Sequence, residues 1–277
     1  MKTNQVKEFA IRSASGLVYA AIMIGSVTLH PLGFLAVFAF VLIKGMWEFY
    51  ALISAKEHKP MVIPGITAGI LLLSALFFKE YLDLDSRILI IPGLAVVTLF
   101  SIPMFIPRIH VIYSLSLTLT GLLYVAVPVS LFTGLAYNPY HQGFDYQVVL
   151  FLFAVIWLND TGAYITGVLF GKHKMFPNIS PKKSWEGFAG GLILSIGVAL
   201  LIRPWLPDLP ANLVWIYALA IVLAGTLGDL AESSMKRAAG VKDSGRFMPG
   251  HGGLLDRFDS LLFAAPVFYC LIHLFTA

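Results

Sequence analysis

Cysteine is almost absent: Cys270 is the single one in 277 residues, so neither an intrachain disulfide nor a cysteine-ligated zinc site can form. Charge is scarce too. Asp, Glu, Lys and Arg make up 12% of the chain, about half the ~25% of a soluble domain. Disorder is excluded as well, because disordered chains are poor in apolar residues and rich in net charge. What fills the chain is apolar: 58% of residues, about two thirds once the 24 glycines are added, with a mean hydropathy of +0.83. A water-soluble fold of this length has too little interior to hide that surface. The bilayer is the solvent that suits it.

A hydrocarbon core of ~30 Å takes about 20 apolar residues per helix. Nine such runs lie near 14–30, 32–53, 61–78, 88–107, 111–136, 147–170, 187–206, 212–232 and 257–276. They are continuous rather than alternating, which favours helices over barrel strands. The expectation is an all-α, polytopic integral membrane protein with about nine transmembrane helices. The run after the basic N-terminus shows no convincing cleavage site and leads into further spans, so no cleavable signal is expected.

With the N-terminus cytoplasmic, the inside segments carry 15 of the 19 Lys and Arg residues. The outside connections carry Lys79, Arg87 and Arg203. That asymmetry sets the orientation and puts the C-terminus outside. The net charge of +4 and the pI near 9.1 reflect the same bias and are no sign of a nucleic-acid partner. Residues 1–140 read as about five plain spans, and residues 141–277 as a catalytic region with two motif-bearing cytoplasmic connections.

Ionisable residues in or beside a span are costly and mark function by default. Asp160, Glu186, Asp229, Glu232, Asp243, Asp256 and Asp259 all fall in or near those two connections. Asp145 and Asp208 fall on the other side. On a helix Asp229, Glu232 and Lys236 share one stripe, and Asp256 and Asp259 stand three apart at the start of the last span. Two helices offering carboxylates at one membrane face suit a hard divalent cation such as Mg²⁺. The stretch Pro249-Gly250-His251-Gly252-Gly253 offers backbone N–H groups suited to phosphate. In the other connection Asn159 and Asp160 lie mid-span, and Ser184 with Glu186 suits a helix start. Lys182 and Lys183 fit an anionic lipid or a substrate phosphate. Lys44 and Glu48, four apart in the second span, read as a structural pair.

The run Ser233-x-Met235-Lys236-Arg237, Lys242-Asp243-x-Gly245, Pro249-x-His251-Gly252-Gly253-Leu254-x-Asp256-Arg257-Phe258-Asp259 resembles the signature of the phosphatidate cytidylyltransferase (CDP-diacylglycerol synthase) family. So do Asn159-Asp160-Thr161-Gly162-Ala163-Tyr164 and Ser180-Pro181-Lys182-Lys183-Ser184-Trp185-Glu186-Gly187. Met248, where an Ile, Leu or Phe is expected, is a mild departure. The resemblance covers roughly residues 157–260 and implies transfer of CMP from CTP to phosphatidate, giving CDP-diacylglycerol and pyrophosphate for phospholipid synthesis. It also implies Mg²⁺, more than one ion per site.

On that resemblance Asp229, Asp256 and Asp259, with Asp160, are metal ligands. Asp229, Asp256, Asp259 and Lys236 carry catalysis. Asn159, Lys172, Ser180, Lys182, Lys183, Arg237, Lys242, His251, Gly252, Gly253 and Arg257 bind substrate. The expected partners are CTP, phosphatidate and the bilayer, a homodimer being compatible, and the expected location is a bacterial plasma membrane with the active site facing the cytoplasm. A CTP-dependent kinase of a polyprenol-type lipid and a transporter stay open as alternatives. An intramembrane aspartyl protease is disfavoured, because Thr226 stands where its motif needs glycine.

Overall fold

Inside hydrocarbon every backbone N–H and C=O must find a partner in the chain, and a helix supplies them within one segment. The computed structural model describes residues 2–55, 58–105, 110–141, 143–248 and 252–275. Its helices are α1 (Lys2–Leu29), α2 (Pro31–Ile53), α3 (Val62–Tyr81), α4 (Ile90–Ser101), α5 (Val111–Gly121), α6 (Val127–Gly134), α7 (Tyr146–Phe170), α8 (Trp185–Ile202), α9 (Val214–Ala238) and α10 (Leu255–Leu274). A π-turn over Leu122–Ala126 joins α5 to α6. Among the described residues seven stretches are long and apolar enough to cross a membrane: α2, α3, the α5–α6 stretch Val111–Tyr137, and those of α7, α8, α9 and α10. The chain is an all-α polytopic membrane protein.

The two remaining runs are helical but shorter in their apolar part, Ala14–Leu29 and Ser86–Ser101. The second has a visible cause. Pro103 has no backbone N–H with which to continue the ladder; α4 stops at Ser101, Ile102 keeps helical angles, and a 3₁₀ turn over Ile102–Phe105 follows. One element was not expected. The connection after α7 folds as an antiparallel hairpin of β1 (Lys174–Phe176) and β2 (Ser180–Ser184), with Lys174 opposite Ser184 and Phe176 opposite Ser180.

The chain divides into two compact units, Met1–Thr133 with Ala239–Phe258, and Gly134–Ala238 with Asp259–Ala277. The first has an aromatic core. Phe38 lies 4.5 Å from Phe132 and 6.1 Å from Phe258, centroid to centroid, and Phe49 stacks on Tyr124 at 4.7 Å. Tyr50 is fully buried, donates from its hydroxyl to the Thr118 carbonyl at 2.8 Å, and lies against Gly65 and Gly121.

In the second unit α7 and α8 approach through glycines. A Cβ at Gly162 would lie 3.0 Å from the Gly191 Cα, and one at Gly191 would lie 2.6 Å from the Asn159 carbonyl oxygen. Small residues permit this closeness where no hydrophobic drive between helices exists. The Ser195 hydroxyl fastens it, donating to the Val155 carbonyl at 3.1 Å. Phe151, Tyr217 and Phe268 fill the core beside them, Phe268 lying 5.7 and 5.4 Å from the other two rings.

Candidate functional site

The α7–α8 approach decides where polar groups go. It leaves Asn159, Asp160, Ala163 and Tyr164 along one wall of a cavity of about 240 Å³. The hairpin supplies Met175, Lys182 and Lys183, and the start of α8 supplies Ser184, Gly187 and Phe188. Thr226 and Asp229 come from α9 and Ser260 from α10. Residues distant in sequence thus line one cavity: Asn159, Asp160, Lys182, Lys183 and Asp229, all expected from sequence. Thr226, Ser260 and Tyr164 carry no charge and were not among the expected site residues, although Tyr164 closes one of the quoted motifs.

Electrostatics organise this space. Lys183 Nζ lies 2.6 Å from Asp229 Oδ2, joining the hairpin to α9. Ser233 donates to Asp229 Oδ1 at 3.2 Å, one helical turn on. Asp259 is partly buried, and Asp229, Asp160 and Lys236 are the charges that act on it. Lys236 is buried and held by Glu232, Nζ to Oε1 3.1 Å. With Arg237 it also occupies the last turn of α9, where cations complement the helix dipole. Asn159 Oδ1 is buried without a hydrogen-bond partner, an acceptor whose cost a ligand would offset.

Other expected site residues lie elsewhere. Lys172 is exposed, outside the cavity lining; its backbone N–H donates to Glu186 Oε2 at 3.2 Å. Glu186 also accepts from the His173 N–H, so it ties the hairpin base to the first turn of α8. Ser180 sits in β2 opposite Phe176. Ser184 is the N-cap of α8 and accepts from the Gly187 N–H at 3.1 Å. Ser184→Ala should therefore lower stability by about 1 kcal/mol, read as a lower unfolding midpoint of the purified protein.

The remaining candidates belong to the first unit. Asp256 is buried, and its Oδ2 accepts from Ser244 N at 2.9 Å and Gly253 N at 2.7 Å. Gly252 has φ +86°, a backbone conformation that glycine adopts without strain. Lys242 and Arg257 are exposed; His251 lies outside the described residues. This unit has its own cavity of about 480 Å³, lined by α1, α2 and Phe247, Met248 and Leu254. Among its described lining residues there is no acidic or basic side chain, and Tyr19 and Ser15 bring the hydroxyl groups.

A divalent cation needs oxygen ligands, and Asp160, Asp229 and Asp259 supply carboxylates within one unit. They are not a closed cage. Among the described residues, the acidic and histidine side chains whose ligand atoms all fall within 4.8 Å are His141, Asp145 and Asp208. That group sits at the other end of α7, about 22 Å from Asp160 at 1.5 Å per residue. Its members are already engaged: Asp145 caps α7 through Gln147 N and Val148 N and accepts from Asn138, and His141 pairs with Asp208. The open set around the cavity is the better match for Mg²⁺, which takes one or two carboxylates and completes its shell with water and phosphate.

Comparison with known proteins bears on what the cavity does. The model of a family described as "Cytidylyltransferase family" matches residues 10–275. A protein of Staphylococcus epidermidis named "Phosphatidate cytidylyltransferase" is 51% identical over 138 residues, covering 49% of this chain and 52% of that protein. Proteins of the same name from Staphylococcus saprophyticus and Staphylococcus aureus are 50% identical over 137 residues and 49% over 139, with the same shares covered. The chain thus spans about half the length of the curated relatives it matches.

Proposed function

This chain belongs to the cytidylyltransferase family, and from that premise we propose that it transfers CMP from CTP to phosphatidate. A phosphate oxygen of the lipid attacks the α-phosphorus, the bond to the β-phosphate breaks, and CDP-diacylglycerol and pyrophosphate form. The observation that carries this reading is the lining of one cavity by Asp160, Asp229, Lys182 and Lys183. Carboxylates and ammonium groups together suit two heavily anionic substrates better than either would alone.

Such a transfer is mostly positioning and charge neutralisation. Asp160, Asp229 and Asp259 would hold Mg²⁺; Asp256, in the first unit, is assigned to metal on the family resemblance alone. Bound there, the ion would neutralise triphosphate charge and stabilise the departing pyrophosphate. The chain's own cations do the rest. Asp229 holds Lys183 at the cavity wall, so its ammonium group is ordered before an anion arrives. Lys182 adds a second charge from the same strand. Glu232 keeps Lys236 from straying into solvent, and that cation balances the acids around Asp259. Asn159 Oδ1 accepts a hydrogen bond from the substrate. Arg237, and in the first unit Lys242, Arg257 and the Gly252 amide, are the other groups assigned to anion binding, while the Gly253 N–H is already taken by Asp256 Oδ2. No general base is needed, since a phosphate monoester with a second pKa near 6 is largely doubly ionised at neutral pH.

The same proposal carries nine membrane helices, a cytoplasmic N-terminus, and a cavity facing the cytoplasm of a bacterial plasma membrane. The distribution of Lys and Arg supports it, as does the cytoplasmic location of CTP. The test is the purified full chain in detergent with phosphatidate, labelled CTP and Mg²⁺. Equal amounts of liponucleotide and pyrophosphate are expected, lost with a chelator and restored by Mg²⁺. Phosphate transfer to the lipid would instead mark a CTP-dependent lipid kinase, and the absence of any product would overturn the reading.

A further inference from the structure

Glu48 stands in an apolar helix, about a turn and a half before its end at Ile53, and is 3% exposed. A carboxylate at that depth is costly, and a Lys44 partner alone does not account for it, because apolar residues of similar size would be at least as stable. The Lys44 pair is present, with Nζ 3.5 Å from Oε1. The other carboxylate oxygen does something different. Glu48 Oε2 accepts from the Leu255 N–H at 2.9 Å, and Leu255 is the first residue of α10. A side chain of α2 therefore satisfies one of the donors that a helix start leaves open, and its negative charge matches the dipole there.

The segment leading into α10 also rests on this carboxylate. A Cβ at Gly245 would lie 2.7 Å from Glu48 Oε1, and one at Gly253 would lie 2.6 Å from Oε2. Both passes of the segment thus cross Glu48 at glycine, the residue that allows such an approach. Asp256 closes it from the other side through Ser244 N and Gly253 N, and Met248 N donates to the Gly252 carbonyl at 2.8 Å. Lys44 extends the same support, its Nζ standing 5.7 Å from the centre of the Phe247 ring. Glu48 is the carboxylate beneath, Asp256 the carboxylate within.

We propose that Glu48 is a positioning residue that anchors the described stretches 244–248 and 252–256 and so sets the aim of Asp256 and of the Gly252 amide. Their substrate role rests on the function proposed above; the anchoring does not.

The test is amide hydrogen exchange on the metal-free full chain in detergent, followed by turnover. In Glu48→Ala, peptides covering 244–256 should exchange about tenfold faster, the scale of one lost buried hydrogen bond, while peptides from α7 and α9 keep parent rates. Glu48→Gln keeps an acceptor for Leu255 and should stay within about threefold of the parent. Gly245→Ala, whose Cβ would meet the carboxylate with α2 unaltered, should loosen the same peptides and decides the matter if Glu48→Ala does not fold. Parent-like exchange of 244–256 in Glu48→Ala or Gly245→Ala would overturn the proposal. So would equal loosening of α7 and α9.

In turnover, Glu48→Ala should lower kcat by roughly 30-fold, within the ~10²-fold cost of a 1 Å misplacement, with KM for both substrates nearly unchanged. Glu48→Gln should recover most of it, and parent-like kcat in Glu48→Ala would sink the aiming role. Should the parent form no liponucleotide, the function proposed above fails, and the exchange result still decides the anchor.

Discussion

Asp259→Asn and Asp229→Asn should each lower kcat by about 10³-fold, the scale of losing a preorganised charge at the reacting centre. Each change keeps size and one oxygen but removes the negative charge. Asp259 is partly buried among Asp229, Asp160 and Lys236, so an amide there leaves Lys236 less well balanced and weakens any hold on a divalent ion. At Asp229 the loss is double, because the amide also releases Lys183 from its 2.6 Å pair. Labelled CTP turnover by purified variants gives the rate, and a thermal melt in detergent gives the folded fraction. Activity near the parent level in both variants would refute the assignment of these acids to the metal. A rate loss matched by an equal loss of folded protein would mean that they are structural.

Gly191→Leu is the second large effect, and it acts through packing. The Gly191 Cβ position is already 2.6 Å from both the carbonyl oxygen and Oδ1 of Asn159, so a branched side chain forces α8 away from α7. Overpacking of this kind costs about 1–3 kcal/mol. The catalytic cost should be larger, because the displaced helices carry Asp160 on one side and Ser184 and the hairpin on the other. A 1 Å misplacement is worth about 10²-fold in rate. Gly197→Ala serves as the control: nothing lies within 4 Å of its Cβ position. It should leave turnover unchanged and stabilise α8 by up to about 1 kcal/mol through helix propensity. Equal melting midpoints and rates for the two variants would contradict the close approach.

Much of this was legible in the sequence because the membrane punishes polar residues so strongly. Asn159, Asp160, Lys182, Lys183 and Asp229 could be singled out as misplaced in an apolar chain, and all five line one cavity. The Ser184 cap was legible too, since a serine before a first-turn acid has a local meaning that no tertiary contact needs to supply. The hairpin was not. Ser180-Pro181-Lys182-Lys183-Ser184 lacks the apolar alternation of a strand, and it is held by Glu186 and Asp229 rather than by its own pattern. Nor was the second task of Glu48 visible. Lys44, four residues before it, offered a sufficient partner, and Leu255 lies 207 residues away. Span counting counted apolar residues correctly and missed Pro103, which ends α4 early. Lys172 was chosen by its neighbourhood in the chain; the contact seen there is its backbone N–H donating to Glu186, which no side-chain pattern announces.

Tyr50 has a consequence for how this protein can drift. Its ring occupies the room that side chains at Gly65 and Gly121 would need, while its hydroxyl is spoken for by Thr118. Three positions in α2, α3 and α5 therefore form one inherited set: a methyl gained at 65 or 121 is tolerable only after the aromatic ring at 50 has shrunk. Randomising all three together should return either tyrosine with two glycines or a smaller residue with bulkier companions, and almost no mixtures.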